Sequence, residues 1–352
     1  MAGGTFFVKH KTLNQEPVPK LDQCENEPWT LKKIWNPFEY CLTHGIDHGE
    51  VDPTGLKPMN HNPLPLMKNR KTIKHFLWTA GLALVGLTAA LGFWNTFDLK
   101  VTDVIIENQA LSQALFGKTV VHLTDLHMTH PGIREKQVLK RLEALKPDLV
   151  FLTGDYIAWG GAVQEALAFL NRINPPMGAY AVIGDYDMSR SRVACLFCHE
   201  KGSKNPTQSH SVHMLNNTLM RIQAGKTGFY LYGMTEGDQD NEIIQKHLST
   251  IPQEEGLLVL SHNPMQFNLF DDHRDAFMMA GDTHGGQIPL PPLVWRILGY
   301  EKNRWYNAGL FKQGKKQMYV SRGIGWSHLP LRLFCPPEIV VYHFLPIERD
   351  SQ

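Results

Sequence analysis

Three short apolar runs, each closed by an aspartate, constrain this chain more than any other feature. They are Val-Val-His-Leu-Thr-Asp125, Leu-Val-Phe-Leu-Thr-Gly-Asp155 and Ala-Val-Ile-Gly-Asp185, and the aspartates recur at intervals of 30 residues. Between them, Val138, Leu139, Leu142 and Leu145 share one helical face, as do Val163, Ala166, Leu167 and Leu170. Apolar runs alternating with amphipathic helices read as consecutive βαβ units. The loops after parallel strands gather on one edge of the sheet, where ligands bind. Carboxylates converging there repel each other unless something positive lies among them, and a metal ion is the simplest choice.

Two later runs also end in candidate ligands. One leads to His262 and the other to Gly281-Asp282-Thr283-His284-Gly285-Gly286-Gln287. With Asp125-Leu126-His127, five strand ends carry Asp or His, a donor set that suits first-row divalent ions. Aspartates that merely cap helices account for one or two such positions, not all of them.

The rest of the chain divides around this core. Residues 1–75 form a polar tail, in which Trp29 to Phe38 allow one short amphipathic helix, and Cys41, His44 and His48 have ligand-like spacing without an obvious fourth partner. Phe76 to Phe97 contains no charged residue. As a helix it extends about 33 Å, enough to cross a bilayer core, with Trp78 and Trp94 near its ends. Lysine and arginine before it (Lys68, Arg70, Lys71, Lys74) place the tail in the cytoplasm and residues 98–352, one globular domain, on the extracytoplasmic (periplasmic) side. Strands are expected at Asp98–Asn108, Phe229–Met234, Gly256–Ser261, Ala276–Ala280, Gln317–Ser321 and Glu338–Phe344. This strand-rich second half favours an α/β sandwich of two sheets with helices outside. Lys and Arg total 35 against 34 Asp and Glu, and no long basic run with interleaved aromatics occurs, so nucleic acid is not an expected partner.

The series Asp125-Leu-His127, Gly154-Asp155, Gly184-Asp185-Tyr186-Asp187, His262 and Gly281-Asp282-Thr283-His284 resembles the calcineurin-like metallophosphoesterases. The ending from Arg322-Gly-Ile-Gly325 through Arg332 to Pro337-Glu338-Ile339 is similar to their membrane-anchored bacterial branch, which includes phosphodiesterases and a pyrophosphatase of a UDP-linked lipid A precursor. The resemblance spans about residues 98–345. It implies a double-sheet sandwich and a dinuclear centre of Mn, Fe, Zn or Mg ions. Asp125, His127 and His284 would hold one ion, Asp155 would bridge, and Asp185, His262 and Asp282 would hold the other. A hydroxide between the ions would attack phosphorus in a phosphorylated small molecule or lipid.

The chain departs from the family pattern at three positions. Asp185 stands where the family has an asparagine ligand, Tyr186 where a histidine assists the leaving oxygen, and Asp282 where another histidine binds metal. Four carboxylates against two divalent ions leave the centre neutral, which weakens its hold on phosphate and its activation of water. A phenol, with an ordinary pKa of about 10, also donates a proton less readily than imidazolium. An alternative expectation is therefore a weakly catalytic or non-catalytic metal-binding subunit of a membrane complex.

Five cysteines are too few for a disulfide framework. Cys195-Leu-Phe-Cys198-His199 matches the c-type haem attachment motif, and Cys195 and Cys198 with His210 and His213 match a structural zinc site. A disulfide or free thiols are the other options for this pair.

Overall fold

The computed structural model describes residues 70–188, 196–197, 210–234 and 241–346. The chain enters through helix α1 (Arg70–Asn95), strand β1 (Lys100–Glu107) and helix α2 (Gln109–Leu115). The expected βα units follow as β2 (Val120–Leu123), α3 (Ile133–Leu145), β3 (Leu149–Thr153), α4 (Val163–Leu170) and β4 (Ala179–Val182). Next come β5 (His213–Met214), β6 (Thr218–Ala224), β7 (Thr227–Gly233), α5 (Asn241–Ser249), β8 (Leu257–Leu260) and β9 (Ala276–Ala280). The chain closes through α6 (Pro292–Ile297), α7 (Glu301–Trp305), β10 (Gly309–Gln313), β11 (Lys316–Val320) and β12 (Glu338–Leu345).

These strands build two six-stranded sheets, ordered β1-β12-β2-β3-β4-β5 and β10-β11-β9-β8-β7-β6. Strands β2 to β5 run parallel in the first sheet, and β7, β8, β9 and β11 run parallel in the second. The period-2 alternation of a strand sorts its side chains between the layers. From one face of the first sheet, Val120, Phe151, Val182 and Tyr342 meet Leu231, Leu258, Phe277 and Met279 of the second. Val121, Leu123, Val150 and Leu152 point the other way, onto Val138, Leu142, Leu167 and Leu170 of α3 and α4. The outer face of the second sheet packs on Ile244 and Leu248 of α5. The result is the expected mixed α/β sandwich, with helices outside both sheets.

Three edge strands, β5, β6 and β10, are absent from the sequence reading. Each buries at most one residue fully, so none carries the apolar run that marks a strand covered on both faces. The others shift by only one or two residues from expectation.

The uncharged stretch is indeed a helix, but α1 starts at Arg70 and stops at Asn95 instead of running from Phe76 to Phe97. Lysines 71 and 74 are good helix formers and extend it at the start. At its end the Gly92 carbonyl accepts the Thr96 hydroxyl at 2.9 Å and the Arg332 amide at 3.0 Å. Those two donors take over the last turn. Gly92 is also tight against Leu331 and Leu333, where a Cβ would overlap them. The helix is otherwise exposed along its apolar length and, by length and composition, is able to span a membrane.

Phe277 is fully buried between the sheets, edge-on to Tyr342 and Phe344 at 5.2 and 5.7 Å. Phe277→Ala should lower stability by about 3–5 kcal/mol, read from denaturant unfolding of the detergent-solubilised chain.

Candidate metal centre

Asp125, Asp155, Asp185, His262 and Asp282 all lie just beyond the carboxyl ends of β2, β3, β4, β8 and β9. The parallel runs of the two sheets therefore deliver them to one end of the sandwich. The local backbone is bent hard to aim them: Asp125, His127, Asp155, Asp282 and His284 all have positive φ, between 43° and 74°. Asp and His tolerate this region better than most residues, and such strain gathers at functional sites. Gly154, at φ 97°, clears the way, because a Cβ there would meet the Gly184 backbone and the His262 ring. At Gly281 a Cβ would run into Thr124 and the Asp125 carboxylate.

The donor atoms converge. Nε2 of His127 lies 3.0 Å from Nε2 of His284 and 3.3 Å from Oδ2 of Asp155. Nε2 of His284 is 3.4 Å from Oδ1 of Asp125, and Nε2 of His262 is 3.5 Å from Oδ2 of Asp155. Within each of two sets, Asp125–His127–His284 and Asp125–Asp155–His262, one donor atom from every residue lies within 4.8 Å of the others. All five residues are buried. His262 donates from Nδ1 to the Thr153 carbonyl at 2.7 Å, which turns its buried Nε2 toward the carboxylates. Imidazole nitrogens and carboxylate oxygens at this density fit a divalent cation of the first transition row.

Asp187 holds the floor of this arrangement, a role the sequence reading missed. Its Oδ2 accepts the Asp155 and Gly184 amides at 2.7 and 2.8 Å, and its Oδ1 accepts the Tyr156 amide at 2.7 Å. A carboxylate two residues beyond a strand-end aspartate was visible, but two of its three target amides lie 31 and 32 residues away. Arg332, fully buried, approaches Nδ1 of His284 at 3.4 Å and donates to the carbonyls of Arg322 and Cys335. Arg134 donates to the Leu126 carbonyl at 2.7 Å and fixes the loop between Asp125 and His127.

Burial dominates the electrostatics. It pushes Asp125 up to about 7, with His262 opposing and Asp155 and Asp282 reinforcing. Burial and Asp155 push Asp187 up to about 8, against its amide donors. Asp155 goes the other way: burial raises it, but His262 and His127 outweigh burial and hold it below the usual carboxylate range. Burial lowers His127 to about 4 and His284 well below its ordinary value. His262 is lifted despite burial, by Asp155, Asp282 and Asp125.

The remaining expected ligands sit at the rim. Asp185 is half-buried, raised by burial and then by Asp155, and it joins neither compact donor set. Asp282 places Oδ1 3.9 Å from Nε2 of His262, while its Oδ2 is ion-paired with Lys302. Tyr186 packs edge-on against His127, ring centres 4.6 Å apart, and donates its amide to Oδ1 of Asp155 at 3.0 Å. Cys195, Cys198 and His199 lie outside the described residues, as do Cys41, His44 and His48. Of the proposed zinc ligands, His210 is bound through Nε2 to the Phe197 carbonyl at 2.8 Å, and His213 stacks on Tyr180.

The model of the calcineurin-like phosphoesterase family matches residues 118–287, a segment holding every residue of both donor sets. That segment is a calcineurin-like phosphoesterase domain, and the chain is similar to proteins named as metallophosphoesterases. Among its relatives is the uncharacterized metallophosphoesterase YkuE of Bacillus subtilis, 24% identical over 300 residues, covering 78% of this chain and 97% of the relative. The UDP-2,3-diacylglucosamine pyrophosphatase LpxG of Chlamydia muridarum is 26% identical over 286 residues, 66% of this chain and 84% of that one. A transmembrane protein with metallophosphoesterase domain from Danio rerio is 26% identical over 285 residues, 77% of this chain and 62% of the relative.

Two outcomes follow from the geometry. Asp187→Asn replaces one acceptor oxygen with a donor facing an amide, and should cost about 1–3 kcal/mol in unfolding free energy. Because Asp125 and His262 are held up, cation binding must displace their protons. The apparent affinity for Mn²⁺ should therefore rise as pH increases from about 6 to about 8, with proton release measured by calorimetry in buffers of different ionisation enthalpy.

Proposed function

We propose that this chain is a membrane-anchored phosphoesterase that hydrolyses phosphodiester or pyrophosphate bonds of substrates at the membrane surface. The observation that carries the reading is the convergence of buried His and Asp donors at the parallel strand ends. Asp125, His127 and His284 would hold one ion, with Asp155 shared between it and a second ion near His262, Asp185 and Asp282. Bound there, divalent ions supply Lewis acidity, which acidifies water and neutralises the phosphate oxygens. Asp155 suits the shared position because its Oδ2 lies near both His127 and His262, while its Oδ1 is fixed by the Tyr186 amide. Asp187 keeps the Asp155 backbone in place. Tyr186, beside His127, is the candidate proton donor to the leaving oxygen.

The pyrophosphatase activity in the name of the Chlamydia relative supports a lipid-linked or nucleotide-linked pyrophosphate as one substrate class. Membrane anchoring is supported by α1 and by the named transmembrane relative. The distribution of lysine and arginine argues for an extracytoplasmic domain, whereas a UDP-linked lipid precursor is made on the cytoplasmic face. A topology reporter fused after Gln352 separates these two situations.

The full chain in detergent should hydrolyse an aryl phosphodiester when supplied with Mn²⁺, Mg²⁺, Zn²⁺ or iron, and Asp155→Asn should abolish both metal pairing and turnover. Unchanged turnover in that variant would sink the assignment. A folded, metal-loaded chain that turns over neither diesters nor pyrophosphates would instead favour the non-catalytic subunit. Tyr186→Phe should slow hydrolysis of an alkyl diester by about 100-fold, because an alkoxide needs a proton, and leave a nitrophenyl diester nearly unaffected.

A further inference from the structure

The departure at Asp282 has a partner on a different element. Lys302 lies on α7 and forms an ion pair with Oδ2 of Asp282. The fold sets this contact through the neighbouring residue. Asn303 is buried, and its side chain donates to the Thr283 carbonyl at 2.8 Å and to Oδ1 of Asn307 at 3.1 Å. The Thr283 hydroxyl donates in turn to the Asn307 carbonyl. The turn that carries Asp282 and the helix that carries Lys302 are thus fastened at adjacent residues. The two oxygens of Asp282 are divided: Oδ2 is ion-paired with Lys302, and Oδ1 lies 3.9 Å from Nε2 of His262.

We propose that Asp282 and Lys302 work as one uncharged donor unit, with Lys302 as the positioning residue that lets an aspartate serve at the second ion position. This rests on the metal-dependent reading above. A neutral imidazole brings no charge to such a position, and a carboxylate paired with an ammonium brings none either. Asp125, Asp155, Asp185 and Asp282 against two divalent ions sum to zero, whereas counting Lys302 leaves one net positive charge. That excess favours phosphate and restores part of what the altered motif removes.

The sign of the effect separates this role from a structural one. Removing the ammonium leaves one extra negative charge, so cations should bind more tightly and anions less tightly. General loosening weakens both. We would titrate the full chain in detergent with Mn²⁺, and the Mn²⁺-loaded chain with inorganic phosphate, by calorimetry. Lys302→Met should tighten the weaker Mn²⁺ site and weaken phosphate binding, each by roughly tenfold given partial solvent screening. Lys302→Arg should keep both values near wild type. The double variant Asp282→His, Lys302→Met should recover phosphate affinity, since it replaces one uncharged unit with another. Parallel loss of both affinities in Lys302→Met, no change in either, or no recovery in the double variant would overturn the proposal. A wild-type chain that binds no Mn²⁺ at all would overturn the metal reading and this inference with it.

Discussion

Buried carboxylates and imidazoles crowded at one end of two sheets are the constraint on which this structure turns. Asp155 stands in the middle, touching His127 on one side and His262 on the other. Its neighbours hold it there: Asp187 grips its amide, the Tyr186 amide meets its oxygen, and glycines at 154 and 184 stand aside. Such a cluster is costly to assemble in a low dielectric without compensating positive charge. Its positive-φ residues add strain that only the packed sandwich beneath them can hold. Fold and site are therefore not independent features, because the inter-sheet core supplies the rigidity that the cluster consumes.

Much of this was legible because parallel strands write their positions plainly. A strand buried on both faces needs a continuous apolar run, and Asp125, Asp155 and Asp185 each follow one, as do His262 and Asp282. The helical faces of α3 and α4 were equally plain, since Val138, Leu142, Leu167 and Leu170 recur at helical spacing and are buried. What stayed hidden depended on contacts between distant segments. Nothing local says that Asp187 binds amides of the preceding strand end, or that Arg332 reaches back to His284. Lys302 was hidden for the same reason: it sits on a five-residue helix of ordinary composition, 20 residues from its partner. The edge strands β5, β6 and β10 escaped because short or half-exposed strands carry no continuous apolar run.

The charge count shows why a motif read in isolation misleads. Judged by strand-end residues alone, the aspartates at 185 and 282 would leave a two-ion centre neutral and less attractive to phosphate. The ion pair at Asp282 changes that sum, and the correction comes from an element outside the motif. A substitution at a ligand position is thus best judged with its whole electrostatic neighbourhood, within which one side chain from another helix can reverse the conclusion.

The contact between Arg332 and the end of α1 has a mechanical consequence. The Arg332 amide binds the Gly92 carbonyl, while its guanidinium lies against His284. One residue thus bridges the last turn of the apolar helix and the donor cluster. With α1 in a bilayer, the centre would ride at a set height above the lipid rather than swinging on a tether. Bonds presented at that height in a headgroup would come within reach by lateral diffusion alone, and freely soluble substrates would gain nothing from the arrangement.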